Sequence, residues 1–354
     1  MDRIRIITGL TLGCILLLSG CRREPVPYAG SDAIRFSMCA DLRTGQGTPG
    51  TKFGALMEGT GFKNEDQVKV YGRRNTNDVV FDKESVTLTS SEGWNYDALR
   101  YWNWAANTDY YDFLAVYLAP GFSAPNCNFN SNPLTVAIPY SASAQYDLML
   151  AGSHRTYSSD EATRFGTVSL VFNHMLCAVK VRVTNKSESK EFTYKGYHFE
   201  NLVVSGIASV TAPSGAQTVP TFGWDEKSRL STSIGGAVVP NGGYTLSPGS
   251  SQPYYEFNGF DLMVPQNHNE KIGSEFPVLV VDYNVDNSDR QARVLLKDVL
   301  TDTGASAIPS WEMGKKYFYD ISFNLDGGIQ VRVTTTNWST VAGDTPGILI
   351  PPLS

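Results

Sequence analysis

The stretch Ala33-Ile34-Arg35-Phe36-Ser37-Met38-Cys39-Ala40-Asp41 decides how the rest of the chain is read. Ile34, Phe36, Met38 and Ala40 alternate with Arg35, Ser37, Cys39 and Asp41. A period of two places the first set on one face of an extended strand and the second set on the other, so one face is built for a core. The same kind of signal returns at 67–71, 79–81, 113–117, 168–172, 178–183, 202–207, 277–283, 292–296, 317–323 and 329–333. Clusters of Gly, Asn, Asp, Ser and Pro separate these runs at short intervals, as turns do in a β-sandwich. Sustained helical periodicity is absent, and only short helices are expected, near 160–164. Abundant Gly, Pro, Tyr and Phe with 18% charged residues suit an extracytoplasmic all-β protein.

Outward from these strands, composition divides the chain. The alternation of Val179, Val181 and Val183 gives way to the polar run Asn185-Lys186-Ser187-Glu188-Ser189-Lys190, which is the expected domain boundary. That boundary separates an N-terminal β-sandwich over 21–185 from a C-terminal one over 186–354. The tail 343–354, with Pro346, Pro351 and Pro352, is expected to be poorly ordered in the free subunit.

The N-terminus carries a different message. Arg3 and Arg5 precede an apolar stretch from Ile6 to Leu18, too short for a finished membrane span, and Leu18-Ser19-Gly20-Cys21 follows. That tetrapeptide resembles the lipobox of bacterial lipoproteins. Small residues at 19 and 20 admit the peptidase, and the Cys21 thiol can carry a diacylglycerol, whose two chains at ~0.8 kcal/mol per buried methylene hold a protein on a membrane far better than one. Residues 1–20 are therefore read as a signal peptide and the precursor as a lipoprotein.

Charge and motif spacing exclude several classes. A net charge of −6 without a basic stripe speaks against nucleic acid as a partner. Of five cysteines, Cys14 leaves with the signal and Cys21 is lipidated, so Cys39, Cys127 and Cys177 allow one bridge and no disulfide framework. Cys177 reads as a small buried hydrophobe. Gly45 and Gly50 have phosphate-loop separation, but Thr51-Lys52 is in the wrong order and no helix follows. Asp282, Asn284 and Asp286 start like a calcium loop, yet Asn287 and Arg293 stand where Gly and Glu are required, so a strand running into a solvated turn is expected. His154, His174, His198 and His268 lack metal-ligand spacing. No cofactor and no enzymatic activity are expected.

The aromatic run Trp94, Tyr96, Tyr101, Trp102, Trp104, Tyr110, Tyr111 and Phe113 admits two readings. Trp and Tyr give large buried area with a polar tip, which favours core and rim packing. Trp94, Trp102 and Trp104 would instead stack on sugar rings if exposed, in a surface lipoprotein that binds a glycan or host ligand without polymerising.

An ordered series of short motifs then resembles one family. It runs from 67–72 through Arg100-Tyr101-Trp102, 111–117, 146–151 and 168–183 to Trp311-Glu312-Met313-Gly314-Lys315-Lys316-Tyr317 and 329–338. The chain is similar to the fimbrillins of the Mfa-like kind, the lipoprotein-derived pilins of Gram-negative anaerobes. The resemblance implies two transthyretin-like β-sandwich domains and a place first on the outer membrane, then in a cell-surface fimbrium that supports adhesion. It also implies a maturation protease, trypsin-like or arginine-directed, that removes the first strand. A strand from another pilin subunit then fills the vacated groove.

In that scheme 33–41 is the removable strand, and Arg43 and Lys52 are the candidate cuts. Ile329, Val331 and Val333 head a candidate donor strand over 329–341, whose alternation fits an ordinary strand of its own domain as well. Where no cut occurs, the protein keeps its lipid and serves as an anchor.

Overall fold

The computed structural model describes residues 32–40, 62–118, 123–214, 219–230, 239, 242–249, 253–256, 259–271, 273–304, 306–324, 328–338 and 348–349. The expected signal peptide, Cys21, Arg43 and Lys52 lie outside the described residues, as does the tail apart from 348–349. In chain order the strands are β1 (Phe36–Ala40), β2 (Gln67–Arg74), β3 (Asp78–Thr89), β4 (Gly93–Asn95), β5 (Tyr110–Tyr117), β6 (Thr135–Ser141), β7 (Met149–Thr156), β8 (Val168–His174), β9 (Cys177–Asn185), β10 (Phe192–Glu200), β11 (Leu202–Thr211) and β12 (Thr221–Leu230). They continue with β13 (Tyr244–Leu246), β14 (Tyr255–Glu256), β15 (Asp261–Met263), β16 (Gln266–Asn267), β17 (Val278–Val285), β18 (Ser288–Leu295), β19 (Leu300–Thr301), β20 (Ser310–Trp311), β21 (Lys315–Phe323), β22 (Ile329–Asn337) and β23 (Ile348–Leu349). The fold is all-β, as the alternation predicts, and each of the ten runs beyond the first lies in or overlaps a strand. A single helical turn, α1 (Glu161–Arg164), stands where a short helix is expected; the Asp160 carboxylate accepts from the Thr163 amide at 2.8 Å and caps it.

The first sheet closes on itself in the order β1-β4-β3-β2-β5-β7-β8, because β1 pairs with β8 in parallel and with β4 antiparallel. Its interior is one apolar core that includes Phe36, Val70, Phe81, Phe113, Leu170 and Phe172. β5 is buried on both faces. Tyr111, Phe113 and Ala115 point into the ring, while Leu114 and Val116 join a second core with Val136 and Ile138 of β6 and Ala208 and Val210 of β11. A strand between two cores reads as a continuous apolar run instead of an alternation. β6 alternates well, yet contains Pro139; it pairs only with β11, and an edge position tolerates the missing N–H.

A third core lies between β9-β21-β22 and β13-β10-β17-β18, where Val179, Val181 and Val183 meet Phe192, Trp311 and Tyr319. Strands from both sides of Asn185 share sheets: β9 pairs in parallel with β21, and β6 antiparallel with β11. The polar run after Asn185 thus ends a strand without ending a sheet. β17 and β18 are joined by Asp286-Asn287, with φ of 52° and 59°, a two-residue turn of the type favoured by Asn and Asp. This is the turn expected in place of a calcium loop.

Candidate assembly groove around the first strand

β1 lies in a slot whose two walls are β8 and β4. Its five residues pair in register with β8, from Phe36 opposite Val168 to Ala40 opposite Phe172, whereas β4 contributes one pair, Phe36 with Trp94. Backbone contacts extend the strand toward its start: Ile34 N donates to Arg100 O at 2.8 Å, and Trp102 N donates to Asp32 O at 2.9 Å. The Tyr96 hydroxyl donates to Ile34 O at 2.8 Å, and burial pushes this phenol's pKa up, so it stays a donor at neutral pH.

The inward side chains occupy sites of graded size. Phe36 is ringed edge-on by Phe81, Tyr96 and Phe113, with centroids at 5.4, 6.0 and 5.8 Å. Such pairs add ~0.5–1.5 kcal/mol beyond area burial. Gly72 makes this pocket: it sits in register between Phe81 of β3 and Phe113 of β5, and a Cβ there would meet those rings at 2.9 and 3.1 Å. At the other end Ala40 is buried opposite Phe172. Phe62 stands against Trp94, Tyr117 and Phe172 at 5.0, 5.5 and 5.2 Å and fills that end of the core. The slot therefore takes a large ring at 36, with Met38 and Ala40 buried after it.

The other predicted positions fall as follows. Trp94 and Trp102 are core residues. Trp104 is half-buried, stacked on Trp102 at 5.4 Å with its indole N–H donating to Arg164 O at 3.2 Å. Trp102 and Trp104 pack on Tyr111 and on each other, Trp102 also meets Phe113, and Trp94 meets Phe62, so burial favours the packing reading of these rings over the sugar platform. Ile329, Val331 and Val333 lie in β22, which pairs with β21 over nine positions and with β19 at Leu300 and Thr301. In this structure β22 is an ordinary strand of its own sheet, far from β1 in pairing order. Cys127 and Cys177 are free thiols; Cys177 is fully buried with its Sγ 3.2 Å from Met263 O. Among the described residues no cluster of His, Cys, Asp or Glu could hold a metal, and no helix is long and apolar enough to cross a membrane.

One feature has no signal in the sequence. Arg73, fully buried, pairs with Asp112 at 2.9 Å and donates to the carbonyls of Phe129 and Ser131, while His154 Nδ1 lies 2.7 Å from Asp112. This network ties β2 and β5 to the 129–131 loop, and its members are far apart in sequence.

A closed all-β ring completed by β1, and followed among the described residues by three larger sheets and a two-stranded one, defines an all-β protein of the sandwich class. The family model described as fimbrillin-like matches residues 55–338, and the chain belongs to that family. Solved structures similar to it include a candidate cell-adhesion protein from Bacteroides eggerthii, 13% identical, with 88% of this chain and 99% of that chain covered at a TM-score of 0.49. A fimbrial protein from Bacteroides vulgatus is 13% identical, covering 77% and 92% at 0.44. The tip fimbrial protein Mfa3 from Porphyromonas gingivalis, with a C-terminal truncation, is 10% identical, covering 78% and 95% at 0.42. No curated protein matches the sequence.

Proposed function

We propose that this chain is a subunit of a cell-surface pilus, exported as a lipoprotein on Cys21 and matured by a cut at Arg43 or Lys52 that frees β1. The neighbouring subunit then supplies the replacement strand. The observation that carries this reading is the position of β1: it closes a ring through five pairs with β8 and one with β4, and its outgoing chain leads to both candidate cut sites. Removing it would leave unpaired backbone along β8 and vacate the places of Ile34, Phe36 and Met38, each buried side chain being worth ~1.5–3 kcal/mol. A strand from a second molecule would restore both, and head-to-tail contacts of that kind do not close, so they make a filament.

The nine-position ladder of β22 with β21 favours a second reading. A subunit that keeps β1 and its C-terminal strand in place is complete by itself, and would retain its lipid as the pilus anchor. A double variant, Arg43→Ala with Lys52→Ala, separates the two when cell-surface polymers are examined. Polymers lost, with Cys21 still N-terminal and acylated, support processing of this subunit; polymers unchanged, with the wild-type protein also starting at acylated Cys21, establish the anchor.

A further inference from the structure

We infer that two copies of this chain pair edge to edge through β18, about a two-fold axis at Gln291. The inference is independent of strand exchange, because β18 belongs to the sheet β13-β10-β17-β18 and not to the ring that β1 closes. Strands that end an open sheet present unpaired backbone, and proteins blunt such edges by shortness, proline, bulges or charge. Here β13, β16, β19, β20 and β23 have two or three residues each, β6 carries Pro139, and β12 meets β11 with two shifts of register. β18 is built otherwise. It runs for eight residues without proline, pairs with β17 in unbroken register, and exposes Ser288, Asp289, Arg290, Gln291 and Arg293. Only its charges guard it.

The turn fixes which backbone groups face outward. Asp286 and Asn287 both have positive φ, so Val285 and Ser288 flank a two-residue turn and exchange both of their hydrogen bonds. The ladder alternates from there to Leu296 N, which donates to Pro277 O at 3.0 Å, so the even-numbered residues of β18 face β17. The N–H and C=O groups of Asp289, Gln291, Arg293 and Leu295 lie on the other side, where among the described residues no strand pairs with them. An antiparallel second β18 must bond to those odd positions. With Gln291 opposite Gln291, Asp289 lies opposite Arg293 of the second copy at both ends, and Arg290 lies opposite Ala292. The neighbouring registers do worse: an axis at Arg290 or Arg293 sets like charges opposite each other, and one at Ala292 puts Asp289 opposite Leu295. The matched register also extends ion pairs already on this face. Lys195 Nζ holds Asp289 at 2.6 Å and Glu200 holds Arg293 Nη2 at 2.5 Å, yet the Asp289 and Arg293 side chains are still 70% and 48% exposed. Charge then alternates from Lys195 to Asp289 and on to Arg293 and Glu200 of the second copy, and opposite charges directly across strands stabilise a sheet. The charges that repel a shifted copy accept one in register, and an isologous contact of this kind closes as a dimer.

The test is sedimentation of the full, uncut chain in excess detergent over a concentration series, with β1 shown in place by intact mass so that strand exchange does not contribute. A dimer that dissociates on dilution is expected. Arg293→Asp alone and Asp289→Arg alone each set like charges across the axis at both ends, and each should weaken the dimer about 10-fold. The double variant, Asp289→Arg with Arg293→Asp, restores opposite charges between copies while keeping both repulsions within the chain, toward Lys195 and Glu200. Its return to wild-type affinity therefore reports the contact between copies and not the fold. A monomer at every concentration overturns the inference, as does a dimer unmoved by either single change or a double variant that stays as weak as the singles.

Discussion

β1 and β22 carry the same kind of sequence, three or more apolar residues alternating with polar ones, and the fold holds them in opposite ways. β1 has a short ladder and deep side chains: five pairs with β8, and Ile34, Phe36, Met38 and Ala40 all buried. β22 has a long ladder and shallow side chains: nine pairs with β21, with Val333 buried but Ile329 and Val331 only half-buried. A strand held by its side chains leaves shaped pockets when it goes, whereas a strand held by its ladder leaves an edge. β1 therefore suits removal and replacement, and β22 suits permanence. The difference teaches that alternation identifies strands, while the depth of the inward face identifies which strand defines a groove.

The comparison breaks most visibly at Phe36. Phe36→Ala should cost about 3–5 kcal/mol in denaturant unfolding, whereas Val331→Ala on β22 should cost about 1 kcal/mol or less, since a half-buried side chain has less burial to lose. Equal costs would mean that the two strands are held alike. Gly72→Ala probes the same pocket from the opposite side: its methyl collides with Phe81 and Phe113, and a loss of about 1–3 kcal/mol is expected. That loss should be smaller in the Phe36→Leu background, which gives the two rings room to retreat.

A pH series sharpens the contrast, because the strongly shifted acid and imidazole both lie on the β22 side of the molecule. Burial pushes His268 down to about 4, with its ring edge-on to Trp311. Burial pushes Asp261 up to about 6, against the Tyr197 hydroxyl that donates to it at 2.7 Å. His268 is neutral when folded, so its contribution is complete above the unfolded pKa of about 6.5 and is lost as pH falls toward 4. Folded Asp261 keeps its proton up to about pH 6, so its contribution is complete below the unfolded value of about 3.9 and is lost as pH rises through 6. Between pH 4 and 6 the two slopes oppose each other at about 1.4 kcal/mol per pH unit each. Stability of the wild type should be nearly flat there. Asp261→Asn should make it rise with pH, and His268→Gln should make it fall; a parallel slope in both variants contradicts the assignment.

The smallest effect expected is none. Mono- and oligosaccharides should leave the tryptophan fluorescence unchanged, since Trp94 and Trp102 are core and Trp104 is stacked against the latter. Saturable quenching by a sugar would restore the platform reading.

Much of this fold is legible in one dimension. The inward face of β1, the ten later strand runs, the capped turn at Asp160 and the turn at Asp286-Asn287 all follow from local pattern. What is not legible is partnership. β9 carries Val179, Val181 and Val183 into one core and Ala178 into another, so its neighbourhood depends on β21, more than 130 residues away in sequence. The Phe36 pocket is assembled from β2, β3, β5 and the 96 turn, and Gly72 reads as a weak point in a strand until the two rings on either side of it are seen. The aromatic run between 94 and 113 has one composition for core and for platform; burial alone separates them.

The central claim is that β1 leaves this subunit. Intact mass and N-terminal sequencing of the protein recovered from the cell surface test it most directly. The account predicts a mature chain beginning at Thr44 or Phe53, after Arg43 or Lys52, in polymers that survive mild detergent; a chain that begins throughout at acylated Cys21, with β1 attached, would contradict it.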